Sequence, residues 1–216
     1  MQFSPLLFVK ENDMNNVRLL VAGLLAASAL AFSPVAQAQM TGQWYAGVGF
    51  GQSKAKDACS GAAAAGVTSC DDSDTAARIF GGYKFNSNIA AEVGYSDLGK
   101  VKASGVVLGL PASAEWKATV WDFSAVGMLP INNQFSVLGR LGVTSWSIDL
   151  NLNVSGVPGS ESASGTDMTY GLGVQWDINN QFGLRAEWQQ YSSLGDDATT
   201  GQSDVEVIGV SALMKF

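Results

Sequence analysis

The residues of this sequence that could do chemistry are mainly carboxylates and arginines, because none of its 216 residues is a histidine. A Ser-His-Asp triad is therefore impossible. Glu92 and Glu187 could in principle work as an acid/base pair. The strand pattern described below places Arg78, Arg140 and Arg185 on the same face as these carboxylates, and ion pairing that satisfies buried charge is the simpler account. The sequence predicts no enzymatic activity and no catalytic residue.

The sequence gives equally little support for a cofactor site or a metal site. The segment 47–51, GVGFG, superficially resembles a nucleotide-binding loop, but it lacks the Lys-Ser/Thr pair and alternates as a strand. The acidic runs at 71–74 and 196–197 lack the spacing of a calcium loop, so we interpret them as solvated rims, with weak divalent-cation contact near lipopolysaccharide phosphates as the alternative. Neither a cofactor nor a metal is expected. The net charge of -7 argues against a nucleic-acid partner.

The N-terminal region has the features of an export signal. Arg18 precedes the apolar run 19–32, and Ala36-Gln37-Ala38 forms an A-x-A cleavage site. Residues 1–13 carry charges that are unusual in a signal, which suggests that translation begins at Met14. We predict a signal peptide region at 1–38 and a mature chain at 39–216. No later stretch is apolar enough for a spanning helix, so a mature protein in a membrane must be a barrel.

Cys59 and Cys70 lie close together in a stretch rich in small residues. An exported protein meets an oxidising compartment, where a local disulfide between them is the expected outcome. Two free thiols are the alternative. A metal pair is disfavoured because no histidine or third cysteine is available.

Stretches of period-2 alternation follow the signal and are separated by breaks rich in turn-forming residues. Three breaks are short (86–88, 130–133 and 177–180) and four are long (53–74, 99–115, 148–165 and 192–203), in strict alternation. Bacterial outer-membrane barrels show this asymmetry, with tight periplasmic turns and longer outer loops. The eight candidate strands are 43–52, 75–85, 89–98, 116–129, 134–147, 166–177, 181–191 and 204–216.

One parity of these strands carries no charge, whereas the opposite parity carries eight charged residues and many glycines. A side-chain period of two places the two sets on opposite faces of the sheet. The narrow interior of an eight-stranded barrel requires small residues, so the charged face is predicted to point inward and the apolar face toward lipid. A soluble lipocalin-like barrel is the alternative. The inward charges are Arg78, Lys84, Glu92, Asp122, Arg140, Arg185, Glu187 and Lys215.

The uncharged face also predicts two aromatic belts, one at each membrane interface. Trp44, Phe85, Phe135, Trp176, Phe182 and Phe216 fall near one rim, and Phe50, Tyr95, Tyr170 and Trp188 fall near the other. The predicted fold is all-β: an eight-stranded antiparallel up-and-down transmembrane β-barrel.

Several of these stretches resemble OmpA-type barrels. The segments 81–85 (GGYKF) and 88–95 (NIAAEVGY) are similar to the second hairpin of that family, and 170–176 and 184–188 to its sixth and seventh strands. The resemblance covers essentially the whole predicted mature chain and implies a stand-alone barrel without the peptidoglycan-binding domain of full-length OmpA. The alternating apolar end resembles the C-terminal signal read by the barrel-assembly machinery, at Ile208, Val210, Ala212, Met214 and Phe216.

The resemblance and the residue pattern together predict a protein of the Gram-negative outer membrane with a structural or surface-interaction role. Its outer loops would carry that role, and loop 53–74 is the best candidate for contacts. A narrow passive, porin-like channel is the alternative, because the inward charges could either plug the interior or form a gated, mildly anion-favouring conduit. The expected partners are outer-membrane lipid and lipopolysaccharide, the assembly machinery and an unidentified extracellular molecule.

Overall fold

The computed structural model describes residues 42–56, 58–59, 67–107, 109–196 and 201–216. The predicted signal peptide, the start at Met14 and Asp197 lie outside the described residues. The part of the chain that the structure describes contains no helix with the length and apolarity to cross a membrane. Its strands are β1 Gln43–Ala55, β2 Val67–Asp71, β3 Ser73–Lys84, β4 Ile89–Val107, β5 Leu110–Pro130, β6 Phe135–Val154, β7 Val157–Asp177, β8 Phe182–Asp196 and β9 Gly201–Lys215.

Eight of these strands close into a barrel, and β2 is a short additional strand that pairs with β4. Each barrel strand pairs antiparallel with its neighbour in sequence, and β9 returns to β1 with Tyr45 opposite Lys215. Closure gives backbone groups of every barrel strand partners on both sides, which is what a sheet needs in lipid. The predicted fold class is confirmed.

The three short turns share one device. Asn86 Oδ1 accepts hydrogen bonds from the backbone amides of Asn88 and Ile89, at 2.8 and 2.9 Å. Asn132 and Asn179 do the same at the other two turns. Such Asx turns let a short connection reverse the chain without unsatisfied amides. The predicted short turns are therefore real, and we call the end of the barrel that carries them the periplasmic end, after the sequence prediction.

At the opposite end the predicted long loops at 99–115 and 148–165 are wrong. There β4 to β7 continue as strands of 19 to 21 residues. The predicted bounds of the loops at 53–74 and 192–203 are also wrong, because β2 lies within the first and β8 and β9 extend into the second. The β6–β7 hairpin ends in a two-residue turn, Ser155-Gly156, where φ is 51° and 86°. Positive φ at both positions is the type I′ geometry that suits the twist of a hairpin.

The alternation of apolar and polar residues inverts along these strands. In β6, Leu141 and Val143 point outward and are exposed, as the lipid face requires. Farther along the same strand Trp146 and Ile148 are buried inside, whereas Asp149 is exposed outside. This inversion is the pattern expected of a barrel with lipid around its lower part and water around its upper part. A strand prediction that follows outward-facing apolar residues therefore ends too early, at the position where the apolar residues change to the inward face.

The outward face of the lower barrel is apolar, as predicted. Trp44, Phe50, Ile208 and Phe216 are all more than half exposed on this face. Aromatic pairs mark both rims: Phe135 stacks on Trp176 near the periplasmic turns, and the pairs Tyr95–Trp121 and Tyr170–Trp188 lie toward the other end. Amphipathic rings at two levels are typical of the two interfaces of a membrane.

Candidate functional site: the charged interior of the barrel

Six of the eight predicted inward charges form one buried network. Arg140 lies at its centre and pairs with Glu92, with Glu187 and, at 3.2 Å, with Asp122. Arg185 pairs with Glu92 at 2.6 Å. The side chains of Arg140 and Glu92 are 1% and 0% exposed, so these ion pairs are shielded from water. Although Glu92 and Arg185 are 93 positions apart in sequence, closure of the barrel brings them together.

The sixth member, Arg78, pairs with Asp122 at 2.8 Å across a glycine. Gly94 is directly opposite Asp122 in the β4–β5 ladder. A Cβ atom at Gly94 would lie 2.5 Å from Arg78 Nη2 and 2.6 Å from Asp122 Oδ2. The missing side chain therefore makes the room that this ion pair occupies, which explains one of the inward glycines.

The network is electrically balanced, because three arginines face three carboxylates. Neutral groups complete it: Tyr45 donates to Glu92 Oε1 at 2.6 Å, and Gln189 Oε1 accepts from Arg78 at 2.6 Å. Gln175 Oε1 accepts from Arg185 at 3.0 Å. These polar residues lie on the inward parity that the charges define, but the sequence analysis, which followed charge alone, did not single them out.

Lys84 and Lys215 do not join this network. Lys215 Nζ pairs instead with Asp177 Oδ1 at 3.0 Å, at the periplasmic end of the barrel. Lys84 is half-buried at the same end of β3. The basic excess of the predicted lining is thus confined to these two lysines, and the centre of the interior carries no excess of either sign.

Apolar layers lie on both sides of the network. Two arginines contact the layer on the periplasmic side, with the guanidinium of Arg185 5.2 Å and that of Arg78 5.4 Å from the centre of the Phe80 ring. The periplasmic layer consists of Tyr45, Phe80, Ala90, Val126, Met128, Leu138 and Leu213. The outer layer consists of Ala55, Leu98, Val120, Trp146, Ile148, Tyr191, Leu194 and Val205. Along the barrel axis the described interior therefore changes from the lysines at the periplasmic end to an apolar layer, then to the charge network and then to a second apolar layer.

A family model described as "OmpA-like transmembrane domain" matches residues 39–216. This chain belongs to that family. Outer membrane protein A of Klebsiella aerogenes is 27% identical over 197 residues, covering 89% of this chain and 54% of that protein. The protein of the same name from Klebsiella pneumoniae is 31% identical over 127 residues, covering 58% of this chain and 36% of that protein. The chain thus spans about half the length or less of these relatives.

Solved barrels of similar fold support the assignment. Ail, the attachment invasion locus protein of Yersinia pestis, superposes with a TM-score of 0.52 at 19% identity, covering 81% of this chain and 99% of Ail. Neisserial surface protein A gives 0.52 at 15% identity, covering 80% and 97%. At these identities the likeness concerns the fold. Together with the family match, it makes this OmpA-like barrel an outer-membrane protein, and the predicted localisation is confirmed.

The outer end of the OmpA-like barrel carries surface ion pairs and a disulfide. Lys100 donates to Glu115 at 2.8 Å, and this hydrogen bond holds the pKa of the Glu115 carboxyl below its ordinary value. Cys59 and Cys70 are joined, as expected for an exported chain. Among the described residues, no group of three or more acidic or cysteine side chains is arranged to hold a metal ion.

Proposed function

We propose that this OmpA-like barrel is a closed, non-enzymatic scaffold that holds two long hairpins above the outer membrane for contact with an extracellular partner. The length of the strands carries the proposal, since β5 and β7 each have 21 residues. A membrane-spanning strand needs only about 9–11 residues, so roughly ten residues of each remain outside lipid. The parts of β5 and β7 that lie outside lipid are therefore not needed to anchor the barrel in the membrane.

The tips of these hairpins display apolar side chains to solvent. Val106 and Leu110 flank the β4–β5 tip and are 51% and 48% exposed, and Val154 and Val157 flank the β6–β7 tip at 41% and 70%. The two hairpins are neighbours, because β5 pairs with β6 along almost their whole length. Apolar groups clustered on the outer part of a barrel support contact with a partner.

The charge of the outer segments disfavours one class of partner. A second structure of Ail from Yersinia pestis is of a complex with the heparin analogue sucrose octasulfate. A polysulfated ligand needs a basic surface, but here the lysines are outnumbered by carboxylates. The lysines are Lys54, Lys56, Lys100, Lys102 and Lys117, and the carboxylates are Asp71, Asp72, Asp74, Asp97, Glu115, Asp149, Glu161, Asp167, Asp204 and Glu206. We therefore propose a partner with a neutral or basic surface.

Export and assembly would follow from the two ends of the chain. Residues 1–38 would be removed as the signal peptide. The alternating outward residues from Ile208 to Phe216 would be read by the barrel-assembly machinery, and β9 would then close the barrel against β1. The aromatic rims would meet the headgroups of outer-membrane lipid and lipopolysaccharide. The carboxylates of the interior would serve structure alone, because their nearest partners are arginines.

A narrow channel is the second candidate, supported by the six interior charges, which could exchange partners and admit ions. Two features oppose it. The network is neutral, and an apolar layer lies on each side of it. An ion crossing those layers would lose its water without gaining a partner, which is strongly unfavourable. We therefore favour the closed scaffold, and single-channel conductance separates the two.

Cysteine labelling of intact cells tests which end of the barrel faces outward. Ser160→Cys on β7 and Ser87→Cys in the β3–β4 turn are matched variants, since both serines are exposed. The native cysteines are joined and unreactive. A maleimide too large to cross the outer membrane should label the first variant and should label the second only after the membrane is permeabilised. Labelling of Ser87→Cys on intact cells would contradict the proposal.

Shortening one hairpin tests the role in contact. Leu150 pairs with Glu161, so an Asn-Gly turn can replace residues 151–160 without changing the register. The shortened barrel should still show heat-modifiable gel migration, whereas cells that express it should adhere less to immobilised proteins with neutral or basic surfaces. Equal adhesion by both forms would contradict an interaction through this hairpin.

A further inference from the structure

A cavity of about 320 Å³ lies inside the outer end of the barrel, and we call it the mouth cavity. Its apolar lining comes from six strands around the circumference, so the barrel wall itself forms it. Five of the lining residues belong to the buried outer layer, namely Ala55, Leu98, Ile148, Leu194 and Val205, and Trp116 and Ala118 pack against that layer.

The residues that line the mouth cavity include none of the six charged residues of the network. Val120 and Tyr191 of the outer layer are 0% and 1% exposed. The Tyr191 hydroxyl accepts a hydrogen bond from Arg78 Nη1 at 3.2 Å, so this residue of the outer layer contacts the network directly. A molecule in the cavity would therefore meet hydrocarbon and indole rather than the buried charges.

The polar groups at the rim already have partners. Asp74 accepts hydrogen bonds from the backbone amides of Thr75 and Lys100, at 2.7 and 2.9 Å. The Lys100 ammonium pairs with Glu115 at 2.8 Å. Because no rim charge lacks a partner among these groups, an ionic ligand would gain little there and would lose its hydration. The rim favours a neutral ligand with a single polar end.

The volume sets the size of that ligand. An apolar protein cavity of about 150 Å³ holds benzene, and small-molecule sites begin near 300 Å³ and are often found in the mouths of β-barrels. We propose that the mouth cavity binds a neutral, predominantly apolar small molecule of about two fused rings, with one hydroxyl directed to the rim. This inference goes beyond the proposed function, because it uses the inside of the barrel and not the hairpin tips.

Isoleucine methyl groups give a built-in test. Ile148 lines the cavity, whereas Ile79, Ile89 and Ile208 are exposed on the outward face. The protein, labelled at isoleucine methyl groups and held in lipid nanodiscs, is titrated with 1-naphthol. The Ile148 methyl resonance should shift and saturate, while the lipid-facing methyls should respond only in proportion to probe dissolved in lipid. A response of Ile148 that does not saturate and parallels Ile79 would overturn the proposal.

Two matched substitutions on β5 locate the binding. Ala118→Phe fills the cavity, and Ala125→Phe places the same ring on the exposed outward face. The saturable shift should be lost in the first variant and kept in the second. If Ala118→Phe does not give a heat-modifiable barrel, the smaller Ala118→Leu takes its place. A saturable shift that survives filling would show that the probe binds elsewhere and would overturn the proposal.

A charged probe tests the preference for neutral ligands. 1-Naphthalenesulfonate has the same rings with an anionic group in place of the hydroxyl. It should leave the Ile148 methyl resonance unmoved at concentrations where 1-naphthol saturates. An equal response to both probes would overturn the inference that the rim selects a neutral molecule.

Discussion

Replacing Arg140 by glutamine tests how the interior charges hold the barrel together. The side chain is 1% exposed and pairs with three carboxylates. After its loss Glu92 keeps Arg185 and Asp122 keeps Arg78, but Glu187 keeps only a 3.7 Å contact with Arg185. Removing one partner from a buried pair costs about 3–5 kcal/mol, so Arg140→Gln should lower the free energy of unfolding by about that amount.

The double variant Arg140→Gln/Glu187→Gln shows whether unpaired charge causes the loss. It returns the network to two arginines and two carboxylates, each of which keeps a close partner. We expect it to recover about half or more of the lost stability, since a buried pair replaced as a whole is often nearly neutral. Lys100→Gln, which breaks an exposed pair with Glu115, is the control and should leave the free energy of unfolding almost unchanged.

Urea unfolding in phospholipid vesicles, followed by tryptophan fluorescence, gives the three free energies, and equal slopes against denaturant make them comparable. The reasoning would be refuted if Arg140→Gln matched Lys100→Gln. It would also be refuted if the double variant were no more stable than the single one, because the loss would then not come from unpaired charge.

Three further outcomes are expected. Gly142→Ala should destabilise the barrel by about 1–3 kcal/mol in the same unfolding assay, because its Cβ would lie 2.2 Å from a backbone carbonyl oxygen, whereas outward Gly139→Ala, with 3.6 Å to its nearest atom, should be tolerated. The pKa of the Glu115 carboxyl, measured by NMR, should lie below its ordinary value and should rise toward that value in Lys100→Gln. Because the folded-state pKa is depressed, any contribution of this pair to stability is present above the unfolded-state pKa and is lost as pH falls. The protein in micelles should pass through a heparin column at physiological salt, and retention would contradict the proposed charge preference.

Sequence periodicity predicted the barrel well because every membrane-spanning strand must place apolar side chains outward, toward lipid, and polar or small side chains inward. Arg140 could be placed inside from its parity alone, and the short turns from their asparagines. The partners of Arg140 could not be predicted, since they depend on how strands distant in sequence are staggered around the barrel. Lys215 illustrates the limit: it has the inward parity of the network residues, yet it lies at the periplasmic end with Asp177.

The upper barrel was missed for a different physical reason. Ile148 and Leu194 lie in segments that the sequence analysis assigned to loops, because outside lipid the apolar residues change from the outward to the inward parity. A scan that allows this inversion would have extended β6 and found the lining of the mouth cavity. The equal numbers of arginines and carboxylates in the network could not be predicted either, because the predicted set of inward charges included the two lysines that lie at the periplasmic end.

Single-channel conductance of the refolded protein in a planar bilayer tests the closed interior most directly. The neutral network and the two apolar layers around it predict a silent bilayer, with heat-modifiable gel migration showing that the barrel is folded. Reproducible conductance steps that change in Arg140→Ala would show that the ion pairs line a conduit. That result would contradict the closed scaffold and establish the channel in its place.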